Sequence, residues 1–332
     1  MKIINGKLVP DEDATAAAAA APAAPAAAPA TVAAAPAAAA EAAPAAGGPD
    51  PSLACMEAAH AAMASDAPTT AQLRAMLGVA GEEKGLNIVC RQEEYDTLLA
   101  AKVDIVRALF RDAGITQPEI DVQGSPTCFF RMRADFRTWH TGSYGKPDYK
   151  MFYSMFPSDD KRRPVEIPAF PMGARRVNEL MEGLRSYVIA PGNDLLRTKL
   201  YEVRFLTTLA GDSLITMIYH RQLQDDGTWT AAAQALAKHL GVSGIVGRSR
   251  KVKLVVGRDY VLERLQVCGE EFSYRQTEGS FSQPNATVCQ KMLTFAVEAT
   301  VGSQEEDLLE LYCGNGNFTA PLSRTSEAPS TQ

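Results

Sequence analysis

The sequence predicts an antiparallel α+β domain over about residues 120–275, followed by the opening of an α/β domain that stays incomplete. In the first region, short runs with the period-two alternation of strands are interrupted by segments with helical periodicity. In the second, the apolar run 308–311 leads directly into a turn with glycines at 314 and 316. A glycine turn after a strand is more often only a turn, but a buried strand that ends in one is also how a nucleotide-binding α/β domain begins, and the polar tail 323–332 adds no further strand.

Residues 1–87 are predicted to be mostly disordered, because little in this segment is both large and apolar. Between residues 11 and 50 the chain has 24 alanines, 6 prolines and no aromatic residue. The prolines interrupt any long alanine helix, and there is almost nothing to bury. Acidic residues 11–13 and the lack of arginine before Arg74 argue against a targeting peptide, and no stretch is apolar enough to span a bilayer. We therefore expect a soluble intracellular protein, most simply cytoplasmic, with an organelle left open.

From residue 93 the periodicity predicts each element in turn. Leu99, Val103, Val106 and Phe110 share one face of a helix over 93–112, which we expect to pack on the core of the second domain. Further helices are predicted at 177–188, 229–240 and 284–300, and a short one near 70–77. Strands are predicted at 127–139, 149–156, 200–208, 213–220, 245–248, 252–256 and 307–311.

Charge and cysteine spacing limit the kinds of site that the chain can form. The net charge of −6 argues against a generally basic nucleic-acid binder. Residues 129–163, however, hold eight Lys/Arg against four Asp/Glu, and residues 247–264 hold six against two. Such islands fit a local phosphate-contacting face, or an ordinary solvated surface. None of the six cysteines has CxxC spacing, so neither a metal site nor an iron–sulfur cluster is expected.

Several sequence blocks resemble one enzyme family. The string LLELYCGNGNF at 308–318 closely resembles motif I of the RNA uracil-C5 methyltransferases. Upstream, RMRADFRTWH (131–140), FLTTL (205–209), YRQ (274–276) and SFSQPNA (280–286) are similar to successive blocks of the TrmA-type tRNA uracil-C5 methyltransferases. Those enzymes make ribothymidine in the T-loop of tRNA. The blocks occur in the family's order over roughly residues 90–322.

The resemblance implies a division of the chain into parts. Residues 88–118 would be the helix on the methyltransferase core, and residues 119–275 an RNA-binding domain that contacts the tRNA T-arm. Residues 276–322 would begin a Rossmann-like methyltransferase domain dependent on S-adenosyl-L-methionine. Residues 323–332 would be a disordered tail.

The resemblance also assigns the cofactor residues. Gln283, Tyr312, Gly314 and Asn317 occupy positions that bind S-adenosyl-L-methionine in the family. Tyr312 would lie along the apolar face of the cofactor, while Gln283 and Asn317 would offer amide hydrogen bonds. The residues alone leave a second role open for Gln283, as the cap of helix 284–300.

Six residues are predicted to contact RNA. The first block supplies Arg131, Arg133, Arg137, Trp139 and His140, whose side chains suit phosphate contacts and stacking. Phe281 would stack on a uracil that has left the RNA stack. Each of the first five is also open to being an ordinary surface residue, and Phe281 to packing in the core.

The catalytic residues that the resemblance implies are missing. In the family, a cysteine in a Ser-Cys-Asn-Pro motif adds to C6 of uracil and a glutamate later removes the C5 proton. That motif does not occur in the 332 residues, and Cys313 matches the motif-I cysteine, which is not the nucleophile. The chain is therefore expected to be a fragment that is inactive by itself.

Three alternatives stay open. In the first, the chain is a non-catalytic RNA-binding protein derived from the family. In the second, it is an rRNA uracil-C5 methyltransferase. In the third, it is one half of an enzyme whose other half comes from a second chain or is lost by truncation. The absence of a four-cysteine cluster near the N-terminus favours tRNA over rRNA.

Overall fold

A computed structural model describes residues 2–4, 7–9, 51–116, 119–224, 226–303 and 307–324. The chain divides into two units, Met1–Gly48 and Pro49–Gln332. In the first, strands β1 (Lys2–Ile4) and β2 (Lys7–Val9) form an antiparallel hairpin. The alanine-rich residues 11–50 and most of the predicted tail, 325–332, lie outside the described residues.

The second unit begins with two helices, α1 (Pro51–Ala64) and α2 (Thr70–Leu77). Thr69 and Gln72 form a capping box, in which each side chain bonds to the backbone of the other. Leu73 is fully buried against small residues of α1. The prediction of disorder is therefore wrong for residues 51–64, because alanines here pack closely against a neighbouring helix, while the short helix predicted near 70–77 is present as α2.

A seven-stranded sheet forms the centre of the second unit, in the order β5-β4-β3-β6-β7-β8-β9. All neighbours are antiparallel except β7 and β8, so the prediction of a purely antiparallel domain is wrong at one pair. The strands are β3 (Arg133–Thr141), β4 (Lys150–Met155), β5 (Val165–Glu166), β6 (Leu200–Thr207), β7 (Ser213–Tyr219), β8 (Gly244–Ser249) and β9 (Val252–Gly257).

Helices cover one face of this sheet. They are α4 (Arg175–Ile189), α5 (Asp194–Arg197) and α6 (Thr228–Leu240). The parallel pair exists because α6 connects β7 to β8 as a crossover. Phe136, Tyr153 and Phe205 form an aromatic cluster in the core between the layers, with ring centroids 5.7–6.3 Å apart.

On the opposite face lies a hairpin of β10 (Tyr260–Val267) and β11 (Glu270–Thr277). It covers only one end of the sheet, where Val261 packs with Leu206, Leu214 and Val246. After the hairpin, residues 278–280 cross this face. Glu278 accepts hydrogen bonds from the side chains of Thr216 on β7 and Arg248 on β8, and the Ser280 carbonyl accepts one from Arg133 on β3. The rest of this face, from Arg137 on β3 across to Lys253 on β9, is called the open face below.

The C-terminal region holds α7 (Ala286–Ala299) and α8 (Thr319–Leu322). The strand predicted at 307–311 is wrong, since these residues pair with no strand in the described part of the chain. Leu309 is 82% exposed and Leu311 71%. A strand needs a neighbour for its backbone groups, and among the described residues 307–311 has none.

Helix α3 (Tyr95–Asp112) matches the predicted helix closely, while its packing on the methyltransferase core stays a prediction. None of its residues is buried, and Ile105 and Leu109 are more than 60% exposed. The apolar face exists as the periodicity indicates, and no described element covers it.

Candidate functional site

One cleft brings together all the residues predicted to bind the cofactor. It has a volume of about 450 Å³ and lies between the hairpin, the start of α7 and the glycine loop 312–317. Gln283, Tyr312, Gly314 and Asn317 line it, and Phe281 lies at the same cleft. Residues 283 and 312 are separated in sequence and line the same cleft, and their binding of a cofactor stays a prediction.

Gln283 precedes α7 but does not cap it. The cap is Asn285, whose Oδ1 accepts a hydrogen bond of 3.0 Å from the backbone N–H of Val288. The alternative role for Gln283 is therefore wrong, and Gln283 lines the cleft instead. Phe281 is 72% exposed, which excludes the alternative of core packing.

The glycine loop has the tight backbone that the sequence predicts. Gly314 and Gly316 have φ of +56° and +72°, in the left-handed region that glycine occupies without strain. Tyr312 also has a positive φ, +60°, and its side chain is fully exposed. A large residue held in this conformation costs conformational energy, which is typical of backbone shaped for a site.

Asn317 is the best anchored residue of this loop. Its backbone carbonyl accepts a hydrogen bond of 3.0 Å from the Tyr274 hydroxyl on β11. Its side-chain Nδ2 donates to Sγ of Cys289 on α7, at 3.2 Å. Burial raises the pKa of Tyr274 to about 12 and also raises the pKa of the Cys289 thiol, so both groups stay protonated at neutral pH. These two anchors were not predicted from sequence.

Glu263 on β10 is a second residue that sequence reasoning missed. It lines the cleft yet is only 1% exposed. Burial raises the pKa of its carboxyl to about 7, although backbone N–H donors oppose the shift. Its Oε1 accepts hydrogen bonds from the backbone N–H of Leu209 (2.9 Å) and Arg264 (3.0 Å). Glu263 therefore ties the hairpin to the turn between β6 and β7. Its position within an alternating strand gave no signal of this role.

Two of the predicted RNA-binding residues, Arg137 and Trp139, lie together on the open face. The Arg137 guanidinium carbon is 4.8 Å from the ring centroid of Tyr201 and 5.9 Å from that of Phe156. Tyr201 in turn stacks on His220, with centroids 3.8 Å apart. This group forms a surface of stacked planar side chains. Tyr201, Phe156 and His220 were not among the predicted residues.

The structure does not bring the other three residues of the block to that surface. Arg131 turns inward and donates from Nε to the Arg133 carbonyl at 2.8 Å. Arg133 donates to the Ser280 carbonyl at 2.7 Å, directly before Phe281. His140 lies on the helix-covered face, with its ring nitrogens 2.8 Å from the Tyr149 hydroxyl and 2.7 Å from the Leu200 carbonyl oxygen. Burial lowers the pKa of His140, which keeps it neutral. Strand alternation alone puts His140 and Trp139 on opposite faces.

Comparison with known proteins decides the family. A family model described as tRNA (Uracil-5-)-methyltransferase matches residues 94–328, well over half of the chain. The chain belongs to the tRNA (uracil-5-)-methyltransferase family. The TrmA-type resemblance drawn from the sequence blocks is thereby confirmed.

Relatives in this family are close in sequence but longer. The tRNA/tmRNA (uracil-C(5))-methyltransferase of Chromohalobacter salexigens is 48% identical over 238 residues, which cover 70% of this chain and 60% of that protein. The enzyme of the same name from Azotobacter vinelandii is 50% identical over 228 residues, 69% of this chain and 59% of that protein. The chain thus spans about 60% of the length of the relatives it matches.

A solved structure shows the same fold at lower sequence identity. The Pyrococcus abyssi tRNA (uracil-54, C5)-methyltransferase, in complex with S-adenosyl-L-homocysteine, superposes with a TM-score of 0.52 and 17% identity. The match covers 72% of this chain and 56% of that one. The observed fold, a mixed sheet with helices, is consistent with that of this solved structure.

The described part of the chain holds no cluster of three or more His, Cys, Asp or Glu side chains placed to bind a metal ion. All six cysteines are unpaired thiols. No described helix is both long and apolar enough to cross a membrane.

Proposed function

We propose that this chain supplies the RNA-binding face and the cofactor loop for S-adenosyl-L-methionine-dependent methylation of uridine C5 in the T-arm of tRNA. The observation that supports this proposal best is the single cleft that gathers Gln283, Tyr312, Gly314, Asn317 and Phe281. The names of the curated relatives favour tRNA over rRNA as the substrate. We place this activity in the cytoplasm.

The cleft fits a nucleoside-bearing cofactor. Its volume of about 450 Å³ lies in the ordinary range for small-molecule sites. The Gln283 amide and Oδ1 of Asn317 can form hydrogen bonds, and the glycines let the loop backbone approach a ligand closely. When bound, S-adenosyl-L-methionine supplies the electrophilic methyl group.

Phe281 would receive the target base at the rim of the cleft. It is exposed, it lies beside the predicted cofactor residues, and it follows the backbone carbonyl that Arg133 holds. An aromatic ring in this position can stack on a uracil that has left the RNA stack. Arg133 would thus act by positioning Phe281 and not by contacting phosphate.

The open face would hold the RNA. Arg137 presents a charged group between the planes of Tyr201 and Phe156, next to the exposed Trp139. A guanidinium among aromatic rings can contact phosphate while the rings stack on unpaired bases.

The catalytic step needs groups that this sequence does not contain. The two cysteines at the cleft do not replace them, because Cys289 is buried with a raised thiol pKa and Cys313 is the motif-I cysteine. We therefore propose that the chain alone does not methylate RNA, and that a second polypeptide segment completes the site. This segment would also cover Leu309 and the exposed face of α3.

Binding to two RNA hairpins tests the proposal. The chain should bind an unmodified T-arm hairpin more tightly than an anticodon-arm hairpin of equal length, measured by fluorescence anisotropy. Labelled cofactor added to the T-arm complex should give no methyl incorporation above a sample without protein. Equal affinity for both hairpins would contradict the substrate, and ribothymidine formation would contradict the missing catalytic groups. T-arm binding with no affinity for S-adenosylhomocysteine would instead favour a non-catalytic RNA-binding protein.

A further inference from the structure

One row of paired residues crosses the open face from β3 to β9. Arg137 pairs with Glu202 on β6, Glu202 with Ile218 on β7, Ile218 with Arg248 on β8, and Arg248 with Lys253 on β9. Paired residues point to the same face of a sheet, so all five side chains share this face. Four steps of about 4.8 Å between strands give the row a length of roughly 19 Å.

The far end of this row carries a cluster of cations held in place by two carboxylates. Arg248 donates to Glu278 at 2.5 Å, and Lys253 lies 2.8 Å from Asp259. Arg275 on β11 is 4.0 Å from the same Asp259. Glu278 is buried, and although burial opposes it, its ion pairs and hydrogen bonds lower its pKa, so it stays charged. Three cations on two carboxylates leave a positive surface whose side chains are already ordered.

An aromatic ring lies within this cluster. The Arg275 guanidinium carbon is 3.9 Å from the ring centroid of Tyr260, and that of Arg258 is 5.2 Å away. The adjacent β8–β9 turn adds Arg250 and Lys251, both exposed. At this end of the row, guanidinium groups lie over an aromatic ring, as the Arg137 guanidinium does at the other end.

We propose that Lys253 and Arg275, with the turn cations Arg250 and Lys251, form a second phosphate-contacting surface, reached by RNA that crosses the open face from Arg137. The inference rests on the proposed function, because Arg137 is the contact it extends. Residues 278–280 bound one side of the path, since they cross the sheet between the hairpin and the row. The chain has a net charge of −6, so a cationic surface in line with Arg137 attracts a polyanion locally and not over the whole protein.

Salt-dependent binding of full-length unmodified tRNA tests this surface. The double variant Lys253→Gln/Arg275→Gln removes two charges but keeps hydrogen-bond donors for Asp259. If both cations contact phosphates, the plot of log affinity against log salt should become less steep, with the magnitude of its slope smaller by roughly 1.4–1.8. Arg137→Ala alone should lower it by about 0.7–0.9, and the triple variant by the sum of the two. Arg250→Gln/Lys251→Gln, in an exposed turn, gives an independent second variant with the same expected loss.

The matched control is Lys238→Gln, which removes an exposed cation on α6, the helix on the opposite face. Its salt slope should equal that of the unaltered chain. If both double variants keep the original slope while Arg137→Ala lowers it, the second surface is overturned and the proposed function stands. If Lys238→Gln lowers the slope by as much per removed charge as the double variants do, the second surface is also overturned. The effect would then come from the overall charge of the protein and not from a local contact. If Arg137→Ala and the double variants all leave the slope unchanged, the proposed RNA face fails as well.

Discussion

The central sheet and the C-terminal loop region contain similar apolar residues in very different surroundings. Val203 and Phe205 on β6 are fully buried, with β3 and β7 on either side. Leu309 and Leu311 are mostly exposed, and no described strand pairs with them. The difference shows that an apolar run becomes a strand only when neighbours satisfy its backbone and cover its side chains.

Two amphipathic helices show the same difference. Helix α4 buries Val177, Leu184 and Val188 against the sheet, whereas α3 buries no residue at all. Both were predicted with nearly correct ends. Helical periodicity therefore predicts where an apolar face lies, and the presence of a partner decides whether it is covered.

The largest expected effect is in hydrogen exchange. Amides of β6 should exchange only through global unfolding, which for a domain of this kind costs about 5–15 kcal/mol. Amides at 308–311 should exchange almost as fast as in an unstructured peptide. Mass spectrometry of peptides from the two regions gives the comparison. Strong protection of Leu309 to Leu311 in a monomer would show that this segment is buried, contrary to its exposure in the structure.

A pair of truncations sharpens the contrast. Phe205→Ala removes a ring that contacts Phe136 and Tyr153, so it should lower the free energy of unfolding by about 3–5 kcal/mol. Leu309→Ala should change it by no more than about 0.5 kcal/mol, as for other exposed positions. Urea unfolding measures both. Comparable losses at the two sites would contradict the difference in burial.

The junction between the hairpin and the sheet should depend on pH. The carboxyl of Glu263 has a pKa raised to about 7, so the folded state holds this proton more tightly than the unfolded chain. The contribution of this bound proton to the free energy of unfolding is complete below the ordinary carboxyl pKa. It is lost as the pH rises through about 7, and the free energy of unfolding then differs by roughly 3 kcal/mol. Glu263→Gln should remove that part of the pH dependence between pH 5 and 8. Parallel stability profiles for the two proteins would rule out this role.

The smallest expected effect concerns the anchor of the cofactor loop. Tyr274→Phe removes the hydroxyl that donates to the Asn317 carbonyl. Loss of one hydrogen bond of about 0.5–1.5 kcal/mol should weaken S-adenosylhomocysteine binding by roughly 2- to 10-fold. The unfolding midpoint should hardly move. Calorimetric titration measures the affinity, with Tyr187→Phe on α4 as the control; equal affinity in all three proteins would show that the anchor does not shape the site.

Much of the fold could be predicted because its signals are local. The ends of β6, β7 and α6 lie within about a residue of their predicted positions, since alternation and periodicity are read over short windows. Strand β3 begins at Arg133 and not at residue 127. The preceding Arg131 makes isolated bridges to both Gly173 and Asn285, which no local pattern indicates.

The candidate site was predictable only where a motif exists. The resemblance grouped Gln283 and Asn317, which line one cleft, although nothing in the sequence showed that Tyr274 and Cys289 hold Asn317. The sequence alone does not distinguish the roles of the arginines in the RNA block. Their partners separate them, because Arg133 is engaged by a backbone carbonyl while Arg137 lies among aromatic rings.

The pairing of β3 with β6 also sets an order of assembly. The Thr207 hydroxyl donates to the Met132 carbonyl across a separation of 75 positions. While the chain is being synthesised, β4 and β5 can fold onto β3 early, but the other edge of β3 stays open until β6 has emerged. At about 5–20 residues per second, that edge is unprotected for several seconds. The nascent sheet can then pair with another chain at this edge, and closure of β6 onto β3 is the step that covers it.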